Sequence, residues 1–176
     1  KNKIYYYNIM CSDKIQLRLS NVSLSSNSDL VRVSADKSEY TVRIPSDLVA
    51  RGKCKITVSN IFIQIKNGGG QSIVPSNSHT ALIMTDGLQL LGYNNESGGN
   101  VNVLAEMGID SNKNDISLNS PTPPVFTCPC LPPEITIRKL VYDPSLVLPT
   151  AMNAFTTTVV PCVVTLQLEF MDEDNK

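Results

Sequence analysis

Apolar and polar side chains alternate with a period of two in several short segments of the chain. The pattern is clear in residues 15–19, 40–44, 135–142 and 162–170. Successive side chains of a β-strand point to opposite faces, so this period is typical of strands with one buried face. Pro45 follows the second segment and ends it. The pattern predicts four strands, each with one face toward a core.

Residues 54–65, CKITVSNIFIQI, form the longest strand-like run, and their alternation changes phase in the middle. Ile56 and Val58 are in one phase, whereas Ile61, Ile63 and Ile65 are in the other. One extra residue in a strand produces this change, because it shifts the following side chains to the opposite face. We therefore predict one long strand with a bulge or a twist near Ser59 and Asn60.

Turn residues divide the remaining segments. Residues 80–91 are predicted as two strands, or one kinked strand, around the turn dipeptide Asp86-Gly87. Residues 101–107 are predicted as a strand, with a helical turn as the alternative. Residues 46–51 are predicted as one helical turn, with Ser46 as its N-cap and Gly52 after its last residue.

Two longer segments are predicted as connections without strands. Residues 111–124 are polar and then rich in proline, and residues 146–155 are irregular but apolar. The proline-rich run continues through Cys128-Pro129-Cys130, which we interpret as a stiff lead-in to the strand at 135–142. Cys128 and Cys130 are two residues apart, so we expect them to face the same side.

Together these segments predict eight or nine strands and no long helix, which indicates a sandwich or barrel. Long connections near 67–79, 92–100 and 108–134 favour Greek-key crossovers. The predicted fold is all-β, an eight-stranded antiparallel jelly-roll sandwich with two Greek keys and little helix. The predicted organisation is an N-terminal arm or first strand over residues 1–14, a single jelly-roll domain over 15–170, and an acidic tail over 171–176.

Composition and charge narrow the choice of partners. The chain has 176 residues, of which 41% are hydrophobic and 18% charged, and this length suits one domain with its own core. The net charge of −1 gives no overall field toward nucleic acid, so no nucleic-acid partner is expected. Residues 1–66 carry a balance of +6 and residues 67–176 a balance of −7. We expect the sheets to interleave these halves; the alternative is two oppositely charged faces for head-to-tail assembly.

Targeting signals do not change this picture. No run of about 18 apolar residues occurs, so no membrane span is expected. The first ten residues, KNKIYYYNIM, lack a signal-peptide core. Glycosylation sequons occur at Asn21 and Asn95, but such short motifs arise often by chance. Tyr5-Tyr6-Tyr7 is expected either to pack one face on the core or to insert into a neighbouring molecule.

Candidate metal and redox chemistry lacks partners in this sequence. His79 is the only histidine, so a metal-binding cupin lacks its ligands and a Ser-His-Asp triad has one possible base. The five cysteines are odd in number, and Cys128 and Cys130 lack the spacing of zinc or redox motifs. We expect reduced thiols that act mostly as small core residues. A zinc site or a Cys128–Cys130 redox pair is the alternative.

Other motifs are equally incomplete. The run Gly68-Gly69-Gly70 lacks the lysine of a phosphate-binding loop and is predicted as a hairpin loop. Residues 110–115 have oxygen ligands for calcium, but Lys113 interrupts them. Residues 51–55 form a basic patch without aromatic residues, which is typical of a solvated turn. We therefore predict no catalytic residue, no cofactor-binding residue and no metal ligand, and expect that the protein is not an enzyme.

The strand pattern resembles a viral protein family. The segments that carry the resemblance are residues 40–45, 55–63, 135–138 and 163–170. In order and spacing they resemble the single jelly-roll penton and minor capsid proteins of large double-stranded DNA viruses and of their virophage and polinton relatives. The resemblance covers most of the chain but includes no diagnostic motif.

This resemblance implies a structural protein of the virion, a jelly-roll capsid subunit that acts by self-assembly. It implies a homopentameric ring at the icosahedral vertex, with the major capsid protein and other minor capsid proteins as partners. An adhesion or carbohydrate-binding β-sandwich is the alternative, with a site in loops 67–78 and 94–100, although the chain has no tryptophan. An enzyme such as a cupin-like isomerase is a third class.

Overall fold

In the computed structural model, most of the described residues lie in strands. The described residues are 14–22, 31–35, 38–66, 69–70, 72, 74, 78–88, 102–110, 112–118, 122–142, 150–152 and 161–171. Within them lie eleven strands: β1 (Lys14–Ser20), β2 (Val31–Val33), β3 (Glu39–Arg43), β4 (Cys54–Gln64), β5 (Thr80–Asp86), β6 (Val103–Gly108), β7 (Asp115–Ser117), β8 (Val125–Cys128), β9 (Glu134–Tyr142), β10 (Thr150–Ala151) and β11 (Cys162–Phe170). One short helix, α1 (Ser46–Val49), lies between β3 and β4.

The strands form two antiparallel sheets. The first sheet has the order β1-β11-β4-β7, and β8 also pairs with β4. The second has the order β2-β3-β9-β5-β6, and β10 also pairs with β9. The prediction of an all-β sandwich with little helix is confirmed, whereas the described strands outnumber the predicted eight or nine.

One apolar core fills the space between the two sheets. Inward side chains alternate with outward ones along β9 and β11, as the period of two predicts. From the first sheet, Ile56 and Leu166 are fully buried, and Ile83 and Ile137 are their counterparts in the second. These residues belong to one contiguous cluster, so burial of apolar area joins the sheets.

The predicted bulge in β4 is confirmed. Thr165 of β11 pairs with Asn60, whereas the next residue, Leu166, pairs with Val58. Ser59 is therefore the extra residue, and Ser59 and Asn60 are both exposed. Because of the extra residue, the apolar side chains on both sides of the bulge face the core: Ile56 and Val58 before it, and Ile61 and Ile63 after it.

Two predicted connections contain strands, and these predictions were wrong in that respect. β7 lies within residues 111–124, and its Ile116 is buried opposite Ile63 of β4. β10 lies within residues 146–155 and is followed by buried Met152. Each strand has only two or three residues, too few for a repeating pattern to identify.

The proline-rich segment also contains a strand. We interpreted it as a stiff lead-in to the strand at 135–142, but β8 pairs with β4 over four residues. β8 ends at Cys128, and the following bend leaves Cys128 buried and Cys130 exposed. The prediction that both thiols face the same side was wrong, because the backbone leaves the extended conformation at Pro129.

The turns at α1 and β5 differ in detail from the sequence interpretation. Ser46 is the first residue of α1, and Pro45 occupies the N-cap without a side-chain hydrogen bond. The Ser46 cap was therefore wrong; the carbonyl of Pro45 accepts hydrogen bonds from the amides of Leu48 and Val49. As predicted, a turn glycine follows each segment: Gly52 has a φ of +79° and Gly87 a φ of +92°. Residues 89–91, predicted as the second part of the 80–91 segment, lie outside the described residues.

Sequence-separated charges are interleaved across the sheets. In the first sheet, Glu169 of β11 lies between Lys14 of β1 and Lys55 of β4. In the second, Arg138 of β9 forms ion pairs with Glu39 of β3 and Asp86 of β5. In the first sheet, the strand pairing therefore brings bases of residues 1–66 against an acid of residues 67–176, as expected. In the second sheet, Arg138 and Asp86 both belong to residues 67–176.

Candidate functional site

His79, the candidate base or metal ligand, lies on the surface. It directly precedes β5, its side chain is exposed, and its carbonyl accepts a 2.8 Å hydrogen bond from the amide of Ile109. Among the described residues, no group of three or more histidine, cysteine, aspartate or glutamate side chains is placed to hold a metal ion. The backbone of His79 thus connects two segments of the second sheet.

The candidate calcium loop is a turn closed by its own aspartate. The Oδ1 atom of Asp110 accepts a 3.0 Å hydrogen bond from the amide of Asn112, and its carbonyl accepts one from Lys113. The carbonyl of Asn114 accepts the amide of Ile65 at 2.9 Å. This arrangement is an Asx turn that attaches the β6–β7 connection to the end of β4.

The candidate basic patch at residues 51–55 connects the start of β4 with the end of β11. The guanidinium of Arg51 lies 5.3 Å from the ring centroid of Phe170. The carbonyl of Lys53 accepts a 2.9 Å hydrogen bond from the amide of Met171. These contacts give the patch a structural role at one end of the sandwich.

The first glycosylation sequon begins at a buried asparagine. Asn21 is 5% exposed, and its Oδ1 accepts a 2.8 Å hydrogen bond from the amide of Cys162. The backbone amide of Asn21 donates in return to the carbonyl of Cys162 at 3.2 Å. The folded chain therefore does not present Asn21 for modification. Ser23, Asn95 and the tyrosines at 5–7 lie outside the described residues.

A polar cluster lies inside the core, where the sequence predicted none. The hydroxyl of Tyr40 donates to the carbonyl of Leu19 at 3.2 Å and lies 3.7 Å from Sγ of Cys162. Lys139 is fully buried on the inner face of β9 and interacts electrostatically with Cys162. Burial raises the pKa of Cys162 to about 11 and raises the pKa of Tyr40. Tyr40 and Cys162 therefore stay protonated at neutral pH, and the cluster is not a nucleophilic site. Its hydrogen bond from Tyr40 to Leu19 joins the two sheets.

Replacing Tyr40 with phenylalanine tests this cluster. We expect the free energy of unfolding to fall by about 1 kcal/mol, because the Leu19 carbonyl loses a buried hydrogen bond. The matched control is Tyr142→Phe, since Tyr142 is 41% exposed and should change stability by less than about 0.5 kcal/mol. Urea unfolding of the three proteins measures the difference. Equal stability of all three would show that the Tyr40 hydroxyl contributes nothing.

Three thiols meet where β8 ends. Cys54 and Cys128 are opposite each other in the β4–β8 register, and both are fully buried. A hydrogen bond between their side chains, together with burial, raises the pKa of Cys54 well above its ordinary value. Sγ of Cys128 donates to the carbonyl of exposed Cys130 at 2.9 Å. The expectation that most thiols are core residues is confirmed for the described cysteines, of which Cys54, Cys128 and Cys162 are buried. Cys11 lies outside the described residues.

The outer face of the second sheet combines charged and apolar side chains. Arg138 lies 3.1 Å from Glu39 and 2.5 Å from Asp86, and all three side chains are partly exposed. Leu82 of β5 and Leu140 of β9 are paired on the same face. Exposed Tyr142 lies two residues after Leu140, also on this face. This face therefore presents both ion pairs and partly exposed apolar side chains.

A depression of about 580 Å³ lies beside α1. The residues that line it are Arg43, Ile44, Pro45, Ser46, Val49, Ala50 and Pro133. Arg43 is the one charged side chain in this lining, and the lining includes neither an acid, a histidine nor a cysteine. The depression therefore lacks the convergent polar groups of an active site.

No helix in the described part of the chain is long and apolar enough to cross a membrane. No protein-family model, no curated protein and no solved structure matches the chain. Fold, surface and residue chemistry are therefore the basis for assigning a function.

Proposed function

We propose that the chain is a single jelly-roll subunit of a viral capsid, placed as a penton at the icosahedral vertices. The observation that carries the proposal is the strand order. When β2 is taken as an additional edge strand beside β3, β7 and β8 as one position beside β4, and β10 as an extension beside β9, eight positions remain. Their order is 1-8-3-6 in one sheet and 2-7-4-5 in the other. Two interlocked Greek keys produce this order in a jelly roll.

The chemistry of the chain favours a capsid subunit over other jelly rolls. Jelly-roll folds occur in viral capsid proteins, lectins and cupins. A metal-dependent cupin needs several histidines, and this chain has one. A lectin commonly stacks sugars on tryptophan, and this chain has none. A capsid subunit requires only a stable sandwich and surfaces for contact.

Surfaces for assembly are available at the sheet edges and on one outer face. β1 is an end strand of the first sheet and β6 of the second, and among the described strands each pairs on one side. The ion pairs of Arg138 and the apolar pair Leu82–Leu140 provide charge and apolar area on the second sheet. A ring requires heterologous contacts, in which one flank of the subunit fits the opposite flank of its neighbour. The major capsid protein and other minor capsid proteins would bind around such a ring.

Native mass spectrometry of the purified chain tests the proposal. We expect a closed oligomer of about five times the 19.2 kDa chain mass. The Tyr40→Phe variant is a matched control, because its change lies in the core and should leave assembly unchanged. A folded chain that stays monomeric at all concentrations and binds glycans on an array would contradict the capsid role and support the adhesion alternative.

A further inference from the structure

The geometry around Cys54 and Cys128 fits a covalent bond between them. The backbone amide of Val58 donates to the carbonyl of Pro124 at 2.9 Å, so Val58 and Pro124 are a hydrogen-bonded pair of the β4–β8 ladder. Hydrogen-bonded and non-hydrogen-bonded pairs alternate along an antiparallel ladder, so Cys54 and Cys128, four residues further along, are also a hydrogen-bonded pair. The Cα atoms of such a pair are about 5.5 Å apart. Disulfides span Cα distances of about 4.4–6.8 Å. Both thiols also face inward, since both are fully buried.

We propose that Cys54 and Cys128 form a reversible disulfide that joins β4 to β8 when the protein meets an oxidising environment. The two cysteines are directly opposite each other in the register and both side chains are buried on the same face, so the two thiols lie beside each other. The bond would close a long loop between the third and sixth strand positions. Such a loop restricts the unfolded chain strongly, which stabilises the fold.

Access to the thiols requires a local opening of β8. This strand has four residues, and among the described strands it pairs with β4. Short edge strands open at a lower free-energy cost than central strands. While β8 is closed, the hydrogen bond with Cys128 raises the pKa of Cys54 and keeps it a thiol. Oxidation therefore follows the opening of β8 and is slower than oxidation of exposed Cys130.

The co-reactant is a small-molecule disulfide such as oxidised glutathione. A Cys128 thiolate attacks one glutathione sulfur, breaks the glutathione S–S bond and releases one glutathione thiolate. The Cys54 thiolate then attacks the Cys128 sulfur of the mixed disulfide and releases the second glutathione thiolate. The two cysteines lose two electrons and two protons, and one oxidised glutathione becomes two reduced molecules.

Redox titration with peptide mapping tests the proposal. The native chain is equilibrated in mixtures of reduced and oxidised glutathione, free thiols are alkylated, and linked peptides are identified by mass spectrometry. We expect a Cys54–Cys128 linkage and a Tm higher by about 5–10 °C in the oxidised protein. The Cys130→Ser variant should retain both results, and Cys128→Ser should lose both.

The outcomes separate clearly. A Cys128–Cys130 or Cys54–Cys130 linkage, or Cys54 that remains free after complete modification of Cys130, would overturn the proposal. Mapping of the unmodified sequence decides the linkage even if a variant folds poorly. The disulfide does not depend on assembly, so its failure would leave the capsid proposal intact, and the converse also holds.

Discussion

Replacing Leu166 with alanine should lower the free energy of unfolding by about 2–5 kcal/mol. Leu166 is fully buried on β11, which pairs with β1 on one side and β4 on the other. Its side chain belongs to the core cluster that both sheets share, directly beside the β4 bulge. Truncation removes apolar contacts and leaves a cavity that the strands on either side prevent from collapsing.

The neighbouring position provides the control for this prediction. Gln167 lies on the same strand but points to the outer face, where it is half-buried. Gln167→Ala should change the free energy of unfolding by less than about 0.5 kcal/mol. Urea unfolding followed by circular dichroism measures both variants. Similar losses at the two positions would contradict the assignment of inner and outer faces.

Gly87→Ala should destabilise the fold by about 2–3 kcal/mol. Gly87 follows β5 with a φ of +92°, a conformation that residues with a Cβ rarely adopt. An added Cβ would lie 2.8 Å from the carbonyl oxygen of Glu134, at the start of β9. Because that oxygen belongs to the backbone, the contact is relieved only if the strand moves.

Comparison with Gly52→Ala separates the cost of the positive φ from the cost of the contact with Glu134. The φ of Gly52 is +79°, but an added Cβ would meet nothing within 4 Å. Gly52→Ala therefore pays the conformational cost alone, about 1 kcal/mol. Chemical denaturation of both variants gives the difference. If Gly52→Ala were as damaging as Gly87→Ala, the close approach of Gly87 to β9 would have no energetic consequence.

Strong alternation made the central strands predictable. The end of β11 at Phe170 and the bulge at Ser59 follow from the sequence, because one buried face imposes a period of two. β9 and β4 are central strands of the same kind. The two-sheet sandwich was predictable for the same reason.

The short strands and the helix cap were not predictable in this way. β7 and β8 are strands because β4 offers them an edge, and no local pattern shows that edge. The same applies to β2 and β10, which were not predicted. At α1, Ser46 is a suitable capping residue by type, but Pro45 precedes it and its fixed φ suits the N-cap geometry of the turn.

The candidate thiol site shows the same limit. The sequence directed attention to Cys128 and Cys130, because they are close along the chain. The structure instead places Cys128 against Cys54 and turns Cys130 to the surface. Only the register of β4 with β8 reveals this pair. β8 itself was not predicted, because it lies in a proline-rich segment.

The central claim is that this chain occupies the vertices of a viral capsid. A cryo-electron microscopy map of purified particles that contain the chain tests it most directly. The account predicts five copies of the sandwich around each fivefold axis, with neighbouring major capsid proteins against their flanks. A map of intact particles whose vertices are built from another protein would contradict it.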